Sequence, residues 1–263
     1  MWTEPVAFLD GTQRLDLFAN ADGADSLYYA EVAAGVSRRV ERRLTSVLRQ
    51  RRELIIGRGA SLERIGEAGG GCLLIPLPED VGPHPIRDKL LAGKIVDQQR
   101  GQLEVAVGRA WREQDRGWLI VDGSLAQSPA WAGDERMLGV VKSHSALPFE
   151  GDDLNRYLRL PARHRTSVFS VEAPFAQVYS WALRLWPWEG KDLLYGLIRV
   201  EAAPTEGTLE RVDQLSRYLL AERAPISAPD PRWDRMMYGI RGVELALKGA
   251  GSRERGAGTS REQ

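Results

Sequence analysis

The sequence predicts an α/β fold in which a mixed β-sheet is flanked by helices, formed as a single domain by residues 1–248. Three observations lead to this prediction. Short apolar runs with strand-like alternation open the chain, a long helical pattern leads directly into further apolar runs, and two amphipathic helices close it. A chain of 263 residues is also long enough to bury a substantial core without disulfides or structural metals.

The composition excludes several classes of protein. Lysine and arginine together number 36, and so do aspartate and glutamate, so bulk charge alone does not attract a polyanion. All but five of the cations are arginine, which suits bidentate phosphate contacts but also fits a compositional bias. One cysteine and three histidines exclude a disulfide framework, a cysteine zinc cluster and a histidine-rich metal site. No apolar run approaches the ~18 residues of a membrane span and no secretory pattern opens the chain, so we expect a cytoplasmic protein without membrane contact.

Strand patterns dominate the first 36 residues, and a basic segment follows them. The runs Val6–Leu9, Arg14–Asn20 and Ser26–Val36 predict three strands. Arg38–Arg52 carries seven arginines against one acid, and its apolar residues keep helical spacing, which predicts an amphipathic helix with a basic face. That face is either an ordinary solvated surface or a stripe that contacts phosphates. The candidate phosphate-binding residues on the stripe are Arg42, Arg43, Arg49 and Arg52.

The rest of the chain alternates strands and helices. Pro85 fits the first turn of a long helix, Pro85–Gln114, that ends before Gly117. The remaining predicted strands are Cys72–Leu77, Trp118–Val121, Met137–Val141, Thr166–Ala173, Gln177–Trp186 and Leu193–Ala203. The remaining predicted helices are Asp152–Arg165, Thr208–Ala221 and Pro231–Leu247. Residues 249–263, rich in glycine, serine and charge, predict a disordered tail.

Two aspartates occupy the same local pattern. The segments 8–12 and 120–124 each run apolar, apolar, aspartate, glycine, hydroxyl. An apolar strand that ends in aspartate places its carboxylate, Asp10 or Asp122, at the edge of a sheet, and the glycine lets a ligand approach the backbone. One such pattern is typical of a turn, whereas two with the same flanks indicate a shared site.

Glu104, on the long helix, is the candidate third carboxylate, although a solvated helix residue is the alternative. Three converging carboxylates repel one another unless one or two divalent cations neutralise them. Oxygen ligands without cysteine or histidine favour Mn²⁺ or Mg²⁺, and two such ions catalyse phosphoryl displacement. Lys142, at the end of an apolar strand, either reaches solvent or points into this cluster, where it would balance charge or contact a phosphate.

These residues carry a resemblance to the NurA family of nucleases, which work with the hexameric HerA ATPase in DNA end processing. The resemblance covers nearly the whole chain and depends on the order and spacing of its motifs. The matching segments are Leu9-Asp-Gly-Thr12, Glu104, Val121-Asp-Gly-Ser124, Gly139-Val-Val-Lys142, Leu197-Ile-Arg-Val200 and the helix at Pro231.

The resemblance implies an RNase H-like fold, a homodimer and manganese-dependent cleavage of DNA. The implied activities are endonuclease action on single strands and 5′-3′ exonuclease action at duplex ends, during resection and repair of double-strand breaks. Asp10, Glu104 and Asp122 would be metal ligands, with Lys142 close to them. The implied partners are DNA and a HerA-like hexamer, and the arginine stripe becomes a DNA-binding candidate.

The sequence departs from the family pattern near its C-terminus. Asp230-Pro231 stands where many members carry a tyrosine-proline pair, and Tyr238 stands where they carry a histidine. Asp230 is therefore a further candidate metal ligand, the alternative being a helix cap. Tyr238 is expected to be a packing residue, and the substitutions place full activity in question.

Two other functions fit the sequence. A catalytically weak module of the same fold would dock on a motor ATPase and guide a DNA strand. A glycosidase-like hydrolase would use paired carboxylates as acid and base and would act without a metal. The aromatic segment 177–188 is either ordinary core or part of a subunit contact.

Overall fold

The computed structural model describes residues 2–21, 24–66, 70–80, 82–144, 147–173, 176–224 and 230–258. The strands in these ranges are β1 Val6–Asn20, β2 Ser26–Val40, β3 Arg43–Gly57, β4 Leu73–Pro76, β5 Trp118–Asp122, β6 Met137–Val141, β7 Phe169–Glu172, β8 Gln177–Arg184 and β9 Leu197–Ala202. The helices are α1 Gly59–Ile65, α2 Pro85–Gln114, α3 Pro129–Ala132, α4 Gly151–Leu158, α5 Glu206–Glu222 and α6 Tyr238–Gly258.

The strands form a mixed sheet in the order β4-β3-β2-β1-β5-β6-β9-β8-β7. β5 pairs in parallel with both β1 and β6, whereas β9 is antiparallel to β6 and to β8, and β8 is antiparallel to β7. The predicted α/β fold, a mixed sheet flanked by helices, is therefore confirmed. The helix predicted at Pro85–Gln114 is confirmed with the same bounds.

β1 is one long strand where the sequence predicts two. The prediction that a strand ends at Asp10 is wrong, because Gly11 and Thr12 continue in extended conformation. Asp122, in contrast, is the last residue of β5. A glycine inside a strand weakens it locally and marks a place where another group comes close to the backbone.

The basic helix predicted over Arg38–Arg52 is wrong as well. β2 ends at Val40 and β3 begins at Arg43, and the two residues between them, Glu41 and Arg42, have φ angles of 47° and 68°. Positive φ at both residues of a two-residue connection is the geometry of a type I′ hairpin, which matches the twist of the flanking strands. The apolar residues that fit helical spacing are distributed over two strands.

Two predicted helices in the second half of the chain have other bounds than expected. α4 ends at Leu158, ahead of Pro161, because a proline disfavours helical backbone just before it. α6 begins at Tyr238, after a 3₁₀ turn at Trp233–Arg235, so Pro231 does not open a helix. α6 extends to Gly258, and residues 259–263 of the predicted tail lie outside the described residues. The tail's disorder and the single domain over 1–248 stay predictions.

The chain divides into two compact units. The first comprises Met1–Asp10, Ser37–Thr45 and Gln114–Val243, and the second comprises Gly11–Val36, Ser46–Glu113 and Glu244–Gln263. Buried tryptophans fill the first core, among them Trp118, Trp131 and Trp181, and the second core includes Leu27, Ile55 and Leu62. In the segment 177–188, Val178, Trp181, Leu183 and Leu185 are all buried, so most of this segment is core and not a subunit contact.

A fully buried arginine organises part of the first unit. The guanidinium of Arg184 donates hydrogen bonds to the backbone carbonyls of Leu158 (2.6 Å), Leu160 (3.1 Å), Leu193 (2.9 Å) and Tyr195. Burial lowers the pKa of Arg184 to about 10, because desolvation penalises the charged form. The arginine thus ties the end of α4 to the loop that precedes β9. Among the described residues, no helix combines the length and apolar content that a bilayer span needs.

Candidate active site

Asp10 and Asp122 lie side by side on neighbouring parallel strands of the first unit. Leu9 of β1 pairs with Val121 of β5, and the next residue of each strand is an aspartate. Because residues in register point to the same face of a sheet, both carboxylates project from one face. Asp10 is only 6% exposed, and two close carboxylates in a partly buried setting repel each other. This arrangement favours a cation between or beside them.

Lys142 supplies one positive charge at this place. It follows the last residue of β6, and its Nζ lies 2.8 Å from Oδ2 of Asp122. The Lys142 side chain is 12% exposed and that of Asp122 is 25% exposed, so water screens the ion pair only in part. Of the two orientations that the sequence allows, Lys142 therefore takes the one that points to the carboxylates.

The turn after Asp122 is fixed by an acid that the sequence motifs did not identify. Glu201 of β9 is 1% exposed, and its Oε2 accepts hydrogen bonds from Oγ of Ser124 (2.7 Å) and from the backbone N of Leu125 (2.8 Å). Its Oε1 lies 3.0 Å from Nη2 of Arg199. The hydroxyl of the second aspartate motif thus has a structural partner on β9, and Glu201 holds the chain that leaves Asp122.

The same turn packs closely on β6. A Cβ at Gly139 would lie 2.7 Å from the carbonyl oxygen of Gly123 and 3.2 Å from the backbone N of Leu125. Gly139 is also the register partner of Glu201. Because Gly139 has no side chain, the turn after Asp122 fits over it and is bound there by Glu201. Two charged residues on one face of an otherwise apolar strand, Arg199 and Glu201, are the sequence signal that could have identified this network.

Glu104 belongs to the second unit, where it is buried on α2 with 3% of its surface exposed. It forms an ion pair with Arg100, one helical turn earlier. A Cβ at Gly11 would collide with Oε1 of Glu104, so the glycine of the first aspartate motif leaves the space that this carboxylate occupies. The alternative of a solvated helix residue is therefore wrong, and Glu104 packs against Gly11.

Asp230 lies in a turn of its own. Its Oδ1 accepts a hydrogen bond from the backbone N of Arg232 (2.8 Å) and lies 3.7 Å from Nε of the same arginine. Because α6 begins at Tyr238, Asp230 does not cap that helix. Tyr238, expected to be a packing residue, is instead 52% exposed.

The four arginines predicted to contact phosphates do not form one helical stripe. Arg42 and Arg43 are exposed at the β2–β3 hairpin, and Arg49 and Arg52 are half-buried on β3. Successive side chains of a strand alternate between its faces, so Arg49 and Arg52, three residues apart, point to opposite sides. Nη1 of Arg52 donates a hydrogen bond to Oε1 of Gln99 (2.7 Å). Of these four arginines, only Arg42 and Arg43 lie together on the exposed surface.

The carboxylate oxygens of Asp10 and Asp122 are suited to a divalent metal ion. In the part of the chain that the structure describes, no three Asp, Glu, His or Cys side chains are grouped closely enough to hold an ion together. The two aspartates nevertheless offer carboxylate oxygens side by side, one of them on a buried residue, and hard cations prefer such ligands. The pair fits a divalent cation that completes its coordination with water or substrate.

This chain resembles a solved structure in its fold, whereas its sequence matches no family model. No protein-family model matches the sequence, and no curated protein matches it. The fold is a mixed α/β sheet with paired aspartates on adjacent parallel strands. The crystal structure of the NurA nuclease from Sulfolobus solfataricus is similar to it, with a TM-score of 0.58 over 100% of this chain and 87% of that chain. The two sequences are 10% identical, so this similarity establishes the fold alone.

Proposed function

We propose that the protein is a divalent-metal-dependent nuclease that hydrolyses DNA. The observation that carries this proposal is the pair Asp10 and Asp122, adjacent on parallel strands with Lys142 beside them. The fold that this chain shares with a NurA nuclease supports the same function. The glycosidase-like alternative requires no metal, so it predicts activity that persists in a chelator.

Asp10 and Asp122 would hold the cation, and Glu104 stays a predicted third ligand. When bound, Mn²⁺ or Mg²⁺ supplies Lewis-acid stabilisation of the charge that develops on the phosphate oxygens during hydrolysis. Lys142 orients the carboxylate of Asp122 and adds positive charge where a phosphate would enter. Asp230 stays a predicted ligand, and the resolved contact of its carboxylate is with Arg232.

The finer activities belong to the proposal as well. We propose that the substrates are single strands and duplex ends, with Mn²⁺ as the preferred ion. A homodimer, a HerA-like hexameric partner and a role in end resection rest on the resemblance of the sequence motifs. The exposed hairpin residues Arg42 and Arg43 remain candidates for contact with the DNA backbone.

A cleavage assay tests the proposal. The purified protein is expected to cut labelled single-stranded DNA in Mn²⁺ and to lose this activity in EDTA. Asp10→Asn should remove the activity, since the substitution keeps the shape of the side chain but removes a negative charge from the ligand set. Asp16→Asn is the matched control, because Asp16 lies on the same strand with its side chain 42% exposed.

The assay also separates the nuclease from the strand-guiding module. A wild-type protein that binds the strand but leaves it intact in Mn²⁺ would contradict the nuclease proposal and favour the weak module. Cleavage that persists in EDTA would contradict metal dependence.

A further inference from the structure

A basic pocket of about 450 Å³ opens in the first unit, away from the predicted ligands. Its walls are the loop 163–167 and the exposed side of α5, and its floor is the apolar pair Leu183 and Leu220. The polar residues that line it are Arg163, His164, Arg165, Thr166, Ser167, Asp213, Ser216 and Arg217. We call this cavity the basic pocket.

Positive charge exceeds negative charge in the basic pocket. Three arginines line it against one acid, Asp213, and Nε of Arg165 lies 2.6 Å from Oδ1 of that acid. The guanidinium groups of Arg163 and Arg217 have no ion pair within the described residues. Arg163 also faces a like charge: the pKa of Arg223 is lowered, first by burial and then by the charge of Arg163. This local excess of cations favours an anionic ligand.

The loop that presents these cations is held in place by the sheet. The backbone N of Arg163 donates to the carbonyl of Arg184 (2.7 Å), and the backbone N of Arg184 donates to the carbonyl of His164 (3.0 Å). The backbone N of Ala182 donates to Oγ1 of Thr166 (3.0 Å). Arg163 has a φ of 64°, a conformation that few non-glycine residues adopt. The pocket is therefore preformed and does not need an ordering step before it binds a ligand.

Strand register places the basic pocket on the same face of the sheet as Asp122. Asp122 pairs with Val140, Val140 with Val200, and Val200 with Trp181. Directly paired residues share a face, and so do residues two apart on one strand. Leu183, two residues beyond Trp181, therefore faces the same side as Asp122, and it forms the floor of the pocket.

The same register places the pocket at the same level along the strands as Lys142. Val141, the residue before Lys142, pairs with Arg199, and Ile198 pairs with Leu183. Leu183 in turn forms a bridge with Arg165. Three strand spacings of ~4.8 Å separate the backbones of Lys142 and Arg165, or roughly 14 Å. Ile198 and Leu183 are buried between these places, so a DNA strand that joins them passes over the outer surface and spans more than this distance.

We propose that the basic pocket binds a backbone phosphate of the same DNA strand whose scissile phosphate lies at Asp10 and Asp122. This inference rests on the proposed function and deepens it by naming where the strand is held. Arg163 and Arg217 bind the phosphate, and the hydroxyls of Thr166 and Ser167 line its path.

Binding measurements in EDTA test the pocket without cleavage. The affinity of a fluorescent oligothymidylate is measured over a range of salt concentrations for the wild type, for the double variant Arg163→Asn/Arg217→Ser, and for Arg156→Ser. Asparagine tolerates the left-handed backbone at residue 163, and Arg156 is a matched control because it is a helix-surface arginine with its side chain 81% exposed. The salt slope of the double variant should fall by about 0.7 for the lost phosphate contact, and that of Arg156→Ser should not change.

Two further measurements separate the possible outcomes. In Mn²⁺, the double variant should cleave a long oligonucleotide several-fold less efficiently and a dinucleotide as well as the wild type does, because only the long strand reaches the pocket. Inorganic phosphate should shift the His164 ring signals in the NMR spectrum of the wild type and not those of the double variant.

An unchanged salt slope in the double variant would overturn the inference, even if the wild type cleaves DNA and the proposed function stands. Phosphate-induced shifts at His164 together with an unchanged slope would assign the pocket to free phosphate and overturn the DNA assignment. A wild type that binds DNA through the pocket but never cleaves it would contradict the proposed function and leave the pocket as a DNA-binding site.

Discussion

Removing the carboxylate of Glu201 is expected to weaken metal binding at a distance, because Glu201 holds the turn that leaves Asp122. Glu201 touches neither predicted ligand directly: its contacts are with Ser124, Leu125 and Arg199. We therefore treat it as a positioning residue. The informative substitutions are Glu201→Ala, which removes all of these contacts, and Glu201→Gln, which keeps an acceptor for the turn.

The expected loss of stability follows from the hydrogen bonds and the ion pair of Glu201. Hydrogen bonds to a charged group contribute ~1.5–3 kcal/mol each, and breaking a buried ion pair costs ~3–5 kcal/mol. With Glu201 1% exposed and the Arg199 side chain 19% exposed, we expect Glu201→Ala to lower the free energy of unfolding by about 3–5 kcal/mol. Glu201→Gln should cost about 1–2 kcal/mol, because its carbonyl oxygen can still accept from the turn. Loss of a direct hydrogen-bond partner of a ligand typically weakens metal binding by ~10–100-fold, and this range is the upper limit for Glu201, which acts through the turn.

Glu222 provides the matched control for this prediction. It is another buried glutamate of the first unit, and its Oε2 lies 2.6 Å from Nη2 of Arg39. Glu222→Ala should destabilise the protein to a similar degree without affecting the turn after Asp122. Urea unfolding measures the first quantity, and Mn²⁺ binding followed by electron paramagnetic resonance measures the second. If both alanine variants weaken Mn²⁺ binding equally, or if neither does, the positioning role of Glu201 is refuted.

Three further outcomes are expected. Arg184→Met should lower the free energy of unfolding by at least ~3 kcal/mol, measured by urea titration, since four backbone carbonyls lose the hydrogen bonds of a buried guanidinium. An equal or higher stability would contradict this reasoning. Burial lowers the pKa of His144 below its ordinary 6.5, so the unfolded chain binds the proton more readily and stability should fall as the pH drops through and below 6.5. His144→Gln should flatten that part of the stability profile in urea titrations at several pH values, and an unchanged profile would exclude His144 as its source. Lys142→Met should tighten Mn²⁺ binding, because the ammonium group of Lys142 competes with the ion for Oδ2 of Asp122. The same substitution should slow cleavage at least ~10-fold, because positive charge near the phosphate is lost. Weaker Mn²⁺ binding in the variant would contradict the competition.

The sequence predicted those parts of the fold whose signals are local. α2 has the predicted bounds, because Pro85 fits its first turn and apolar residues repeat at helical spacing up to Trp111. The pairing of Asp10 and Asp122 was also accessible, since the segments 8–12 and 120–124 repeat one pattern of apolar residues, aspartate, glycine and hydroxyl.

The errors arise where a local pattern fits two structures. Val40, Leu44, Val47 and Leu48 keep helical spacing although they lie on two strands. The turn between the strands is Glu41-Arg42, without the Asn-Gly or Asp-Gly pair that marks a type I′ hairpin. A strand was expected to end at Asp10 because Asp-Gly is typical of a turn, yet the space required by Glu104, a long-range contact, explains that glycine.

The role of Glu201 was not predicted from the sequence, and the reason is different. Its hydrogen-bond partners, Ser124 and Leu125, lie more than seventy residues earlier in the chain. A charged residue in a strand is usually solvated, so only the sheet order, with β6 between β5 and β9, shows that Glu201 is buried beneath the turn. The two charged residues of β9 mark the strand, but the partners of Glu201 depend on the topology of the sheet.

Metal-dependent cleavage by the Asp10–Asp122 pair is tested most directly by the turnover of single-stranded DNA in Mn²⁺ for Asp122→Asn beside the wild type. The substitution is nearly isosteric and neutral, so we expect the variant to keep the wild-type free energy of unfolding to within ~1 kcal/mol and to lose cleavage by at least ~100-fold. A folded Asp122→Asn protein that cuts DNA at close to the wild-type rate would show that Asp122 is not a metal ligand.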